Sequence, residues 1–149
     1  MSTIIYLFCF VFLLSGEVFS NNFNFVTTCI KSVCFDARIA DTQFARAKGL
    51  MGETSLPEDE GMLFFFASLD YPEFWMKNTK IPLDILYIND EDVIVYMVKH
   101  ALPCKKGRDC PVYKTSRRAS KVLEINGGLS KKYGFHVGDS VEYFLTDAQ

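Results

Sequence analysis

Phe74-Trp75-Met76-Lys77-Asn78-Thr79-Lys80-Ile81-Pro82-Leu83-Asp84-Ile85-Leu86-Tyr87-Ile88 is the stretch whose reading decides the fold. It holds the single tryptophan, a polar run behind two aromatics, and then an apolar strand with one carboxylate inside it. A carboxylate between Leu83 and Ile85 is costly to bury unless a cation or hydrogen-bond donors meet it. Lys77, Asn78 and Thr79, upstream across a Pro-containing turn, are the nearest source of such groups. The segment is expected to be hairpin-like and to form the floor of a polar site, with Asp84 neutralised by Lys77 and Arg46 beneath the indole. Strand alternation puts Phe74 and Met76 on one face and Trp75 and Lys77 on the other, and Phe74 and Met76 are expected inward, with Lys77 at the wall. The reverse assignment makes Trp75 an ordinary core residue.

Upstream of this stretch, residues 21–40 alternate polar and apolar side chains and read as two short strands. Asp41-Thr42-Gln43 opens a helix, which Phe44, Ala45, Ala47 and Leu50 carry to Gly49 or Gly52. Met62 to Phe66 is a continuous apolar run, as in a strand buried on both faces. Downstream, Asn89-Asp90-Glu91-Asp92 reads as a turn, Val93 to Leu102 as a long strand and Lys121 to Ile125 as another. Gly127-Gly128 leads into a short helix through Leu129 and Tyr133, and Asp139 to Leu145 closes the chain as a strand. Short strands at roughly 8–12-residue spacing, with only two short helices, predict a mainly β fold, a mostly antiparallel sandwich or barrel in one domain over residues 21–149.

The 149 residues are 49% hydrophobic, enough for a single core. Ile4 to Leu14 is an unbroken apolar run followed by small and polar residues. This predicts a signal peptide over residues 1–20 and an exported protein, periplasmic or extracellular, because a membrane span needs about 20 apolar residues. The run lacks a preceding Lys or Arg, and the alternative is an uncleaved anchor. Cleavage removes only Glu17 among the charged residues, which leaves 16 basic and 17 acidic side chains and a net charge of −1. That balance favours neither nucleic acid nor an anionic membrane, and a monomer is expected. Four cysteines remain: Cys29, Cys34, Cys104 and Cys110. Three pairings are possible, and the short loops favour Cys29–Cys34 and Cys104–Cys110. Zinc is disfavoured, since neither pair has two-residue spacing or an adjoining histidine.

Asp84 and Glu124 share one oddity, each standing alone in an apolar strand. Paired, they could act as general acid and base. Each can equally be the outward residue of an alternating strand or one end of an ion pair. His100 and His136 stand alone. Met51, Met62 and Met76 lie in apolar context and read as core filling rather than copper ligands. No serine elbow or phosphate-binding glycine loop is present, and no cofactor or metal is expected.

Arg46-Ala47-Lys48-Gly49-Leu50-Met51-Gly52, Ser55 to Phe64, Phe74-Trp75-Met76-Lys77-Asn78-Thr79, Pro82-Leu83-Asp84 and Val122 to Gly128 together resemble the domain-of-unknown-function 192 (DUF192) family. These ordered motifs, within a likeness over about residues 35–145, make it specific. The resemblance implies a compact, mainly β fold often found on exported proteins; it implies no activity, cofactor or catalytic residue. The extra cysteines around 104–110 depart from the family pattern.

Two functions from different classes follow. The first is a non-catalytic, exported binding or envelope-accessory domain, with a site built from Arg46, Trp75, Lys77, Asn78, Asp84 and Glu124. Its ligand would be a polar small molecule, a glycan or a peptide segment. The second is a small hydrolase using Asp84 and Glu124, which would need the two carboxyls about 5–9.5 Å apart across an open cleft.

Overall fold

Alternation and turn chemistry place most of the strands where the sequence puts them. A computed structural model describes residues 25–104 and 109–145; the expected signal peptide lies outside them. The strands are β1 (Phe25–Ile30), β2 (Val33–Ala40), β3 (Glu60–Asp70), β4 (Glu73–Trp75), β5 (Leu83–Ile88), β6 (Ile94–Ala101), β7 (Val112–Lys114), β8 (Ala119–Asn126) and β9 (Val141–Leu145). Two short helices, α1 (Gln43–Lys48) and α2 (Leu129–Lys132), join them. Seven strands form one mixed sheet in the order β6-β5-β8-β3-β2-β1-β9, antiparallel throughout except for β2 beside β3. The sheet curls into a half-barrel, and a bridge between Val93 and Ser140 ties its two edge strands at one end.

β5 shows why the curl is stable. All six of its residues are buried, because it sits between β6 and β8 with core on both faces. Leu83, Ile85 and Tyr87 join one cluster with Met62, Phe64, Phe74 and Met76. Leu86 and Ile88 join the other, with Phe35, Leu63, Leu123, Ile125 and Phe135. Removing this much apolar surface from water is the main driving term of the fold. Gly61 is needed where β3 meets β8, since a Cβ there would lie 2.8 Å from the Glu124 carbonyl oxygen.

The opening stretch is not a hairpin. β4 leaves the main sheet and pairs with β7 as a separate two-stranded ribbon, whereas β5 enters the main sheet. A polar turn separates them, with Asn78 at φ +58° and its carbonyl accepting from the Gly52 N–H at 2.9 Å. β7 had no counterpart in the sequence reading, because three residues carry too little periodicity. Phe74 and Met76 do face inward, and Trp75 faces out. Cys29 is joined to Cys34 across the β1–β2 pair, and Cys104 to Cys110 ahead of β7.

Candidate functional site

Asp84 is sealed, with no exposure to solvent, and backbone amides meet its carboxyl. Its Oδ1 accepts from the N–H groups of His100 at 2.7 Å and Gly128 at 2.9 Å, and its Oδ2 from Ser130 N–H at 2.7 Å. Three such bonds satisfy a buried carboxyl without any cation. They also supply α2 with the cap its own sequence lacks, since Gly128 at its N-terminus offers no side chain. His100, at φ +54° in the irregular β5–β6 register, is held by the same oxygen.

The expected partners of Asp84 are engaged elsewhere. Arg46 donates to the carbonyls of Asp41 and of Phe65, and stacks 5.6 Å over the Phe66 ring. Lys77 is exposed, 4.9 Å from the centre of the Trp75 ring, and Asn78 is exposed in its turn. The expectation that Asp84 is neutralised by Arg46 and Lys77 is therefore corrected. Local sequence could not show this, because the donors come from backbone 16 to 46 residues away.

Asp84 and Glu124 do not make a catalytic pair either. In the antiparallel register of β5 and β8, Glu124 stands opposite Ile85, and Asp84 opposite Ile125. Directly opposed residues share a face and neighbours along a strand do not, so the two acids project from opposite sides of the sheet.

Glu124 faces a cleft of about 270 Å³, open mouth included, bounded by α1 and the turn after it, β3, β4 and Thr79. Phe64, Phe74 and Trp75 give it an aromatic wall, Leu50 and Met51 an apolar one, and Arg46 and Lys48 lie along its α1 side. Phe64 and Phe74 meet edge to face at 5.0 Å, which fixes the wall. Gly49, at φ +47°, ends α1 and lets the chain turn beside Phe64. Glu124 is 4% exposed, and among the described residues no hydrogen-bond donor or cation meets its carboxyl. Burial alone pushes this acid from 4.5 up to about 8, so it is mostly protonated at neutral pH. Among the described residues, no group of three or more potential metal-ligating side chains gathers here or elsewhere.

Three of the six predicted site residues, Arg46, Trp75 and Glu124, thus line one cleft. Lys77 adjoins its Trp75 edge, whereas Asp84 lies behind the sheet. Lys48, Leu50, Met51 and Phe64 were missed as site residues, although all four stand inside the motifs that carry the family likeness.

Two solved structures share this fold. A Novosphingobium aromaticivorans protein of unknown function is 37% identical, with a TM-score of 0.71 over 79% of this chain and 83% of that one. A Sinorhizobium meliloti protein described as a candidate transcription regulator is 29% identical, with a TM-score of 0.72 over 80% of this chain and 92% of that one. No curated protein matches. The DUF192 family model, whose description is "Uncharacterized ACR", matches residues 26–143. That match spans most of the sequence, and the chain belongs to the DUF192 family.

Proposed function

We propose that this protein is an exported, non-catalytic binding module that takes a small polar ligand into the cleft between α1 and β4. One observation carries this reading: Glu124 holds a buried carboxyl with no partner of its own, at an opening to solvent. A carboxyl at the edge of a cleft that no protein donor or cation meets is open to a ligand that completes it. Trp75 lies half exposed at the cleft and supplies aromatic contact area at low entropic cost. Two cysteine pairs agree with an oxidising compartment outside the cytoplasm.

Trp75 is the chain's sole tryptophan, so its indole N–H reports on the cleft without labelling ambiguity. A fragment library containing polyols, amides, amines and acids is screened by NMR against the mature protein. Hits should shift the Trp75 indole resonance, and Glu124→Gln should weaken them. A library in which nothing moves that resonance overturns the reading. Export is tested separately by fusing residues 1–20 to a reporter active only outside the cytoplasm, which should gain activity.

A further inference from the structure

The chemistry of the cleft narrows the ligand class; this step rests on the binding role just proposed. We infer that the cleft receives a small zwitterion, an ammonium and a carboxylate joined by a short aliphatic stem, with the ammonium on Glu124 and the carboxylate towards the α1 cations.

Three features of the cleft lead there. At its floor, the Glu124 carboxyl has neither donor nor cation, so the group that completes it brings both N–H bonds and positive charge. An ammonium does this, and turns an isolated buried acid into a hydrogen-bonded ion pair. Along the walls, Trp75 and Met51 offer the accessible apolar and π surface that suits methylenes next to a cation, backed by the buried Phe64, Phe74 and Leu50. Around the opening, Arg46 and Lys48 line the α1 side, and Lys77 lies against Trp75. None of the three is in an ion pair with an acid of the described residues. A simple amine would meet three like charges on entry, whereas a zwitterion presents its anionic end to them.

Proton linkage gives a readout that simple shape complementarity would not. The charged and titratable groups nearest Glu124 are Arg46 and Lys48 of α1, which share the cleft, and Tyr87 of β5, on which Glu73 of β4 and Tyr96 of β6 also act; Lys77 stands further out, beside Trp75. Burial and the charge of Glu124 both push the Tyr87 phenol up, so it stays neutral throughout the working range. β3 contributes only the apolar Met62 and Phe64 at this point. An arriving ammonium therefore displaces the proton of Glu124 and of no other group, and affinity rises with pH up to about 8.

Isothermal titration of the mature protein with 5-aminopentanoate, pentylamine and pentanoate tests this directly, with the Trp75 indole as a second probe. The expected result is that the zwitterion binds at least tenfold more tightly than either single-charge analogue. Its affinity should increase by up to about tenfold per pH unit between pH 6 and 8. Glu124→Gln, with its fold checked by circular dichroism, should lose both the affinity and the pH dependence. Lys48→Ala should weaken the zwitterion and leave pentylamine unchanged or tighter. Pentanoate binding as well as the zwitterion, affinity falling towards pH 8, or unchanged binding by Glu124→Gln would each overturn the inference. If neutral fragments shift the Trp75 indole while no zwitterion does, the zwitterion falls and the binding site stands. If nothing shifts it, both fall.

Discussion

At the residue scale, two acids that look alike in the sequence have opposite roles. Asp84 satisfies three backbone N–H groups and has no access to solvent. An Asn there keeps one acceptor oxygen and turns an NH2 group towards at least one of those donors. Asp84→Asn should cost about 2–4 kcal/mol of stability, read from the urea midpoint, by leaving a buried N–H unmatched. Loss of ligand binding without loss of stability would contradict this structural role. Gly127 belongs to the same support, because a Cβ there would lie 2.9 Å from both His100 Nδ1 and Pro82 Cβ. Gly127→Ala should therefore destabilise by about 1–3 kcal/mol through overpacking, measured in the same denaturation experiment.

At the scale of elements, the cleft is built from the two least self-sufficient parts of the fold. α1 has only six residues, too few to persist alone. It is held by the Thr42 side chain, which accepts from Ala45 N–H at 3.1 Å, and by the Arg46 bonds to the Asp41 and Phe65 carbonyls. Thr42→Ala should cost about 1 kcal/mol and speed hydrogen exchange at Arg46 and Gly49, while amides of β5 and β8 keep their protection. The β4–β7 ribbon has three residues per strand and an exposed Glu73–Lys114 pair, which contributes little in water. Its anchor is the inward side chain of Phe74, edge-on to Phe64 and to Tyr87 at 5.9 Å. Cys104–Cys110 closes the loop just before β7. Replacing both cysteines by serine should cost about 2 kcal/mol and shift Trp75 emission to the red, because the ribbon that carries the indole loosens first. An unchanged emission spectrum would show that the ribbon stands without the bridge.

At the scale of the whole molecule, the curled sheet separates two cores, and Glu124 is buried in the wall between one of them and solvent. Its acid rises from 4.5 when unfolded to about 8 when folded. Below pH about 4.5 both states are protonated and the group contributes nothing to the pH slope. Between about 4.5 and 8 the unfolded chain releases this proton and the folded chain retains it, so stability falls as pH rises. Glu58 is held down by Lys132 and Tyr133 at the surface, and its influence belongs to lower pH. The urea midpoint of the ligand-free protein should thus decrease from pH 4.5 to 8, and Glu124→Gln should flatten that slope. A midpoint that rises over this window would place a partner on the Glu124 carboxyl.

Local sequence is enough for the mainly β class, a helix opening at Asp41-Thr42-Gln43, the turn at Asn89–Asp92, the shared face of Phe74 and Met76, and the favoured pairing of the cysteines. Each of these follows from neighbours within a few positions, through alternation, side-chain capping or loop length. What lies on which side of the sheet was decided only by tertiary structure. Asp84 and Glu124 are both lone acids in apolar strands, and no local pattern distinguishes them. The register that sets Ile85 opposite Glu124 sends Asp84 to the far face, where the amides of His100, Gly128 and Ser130 enclose it. Glu124 is left facing the cleft because none of the strands and turns that meet around it places a donor there.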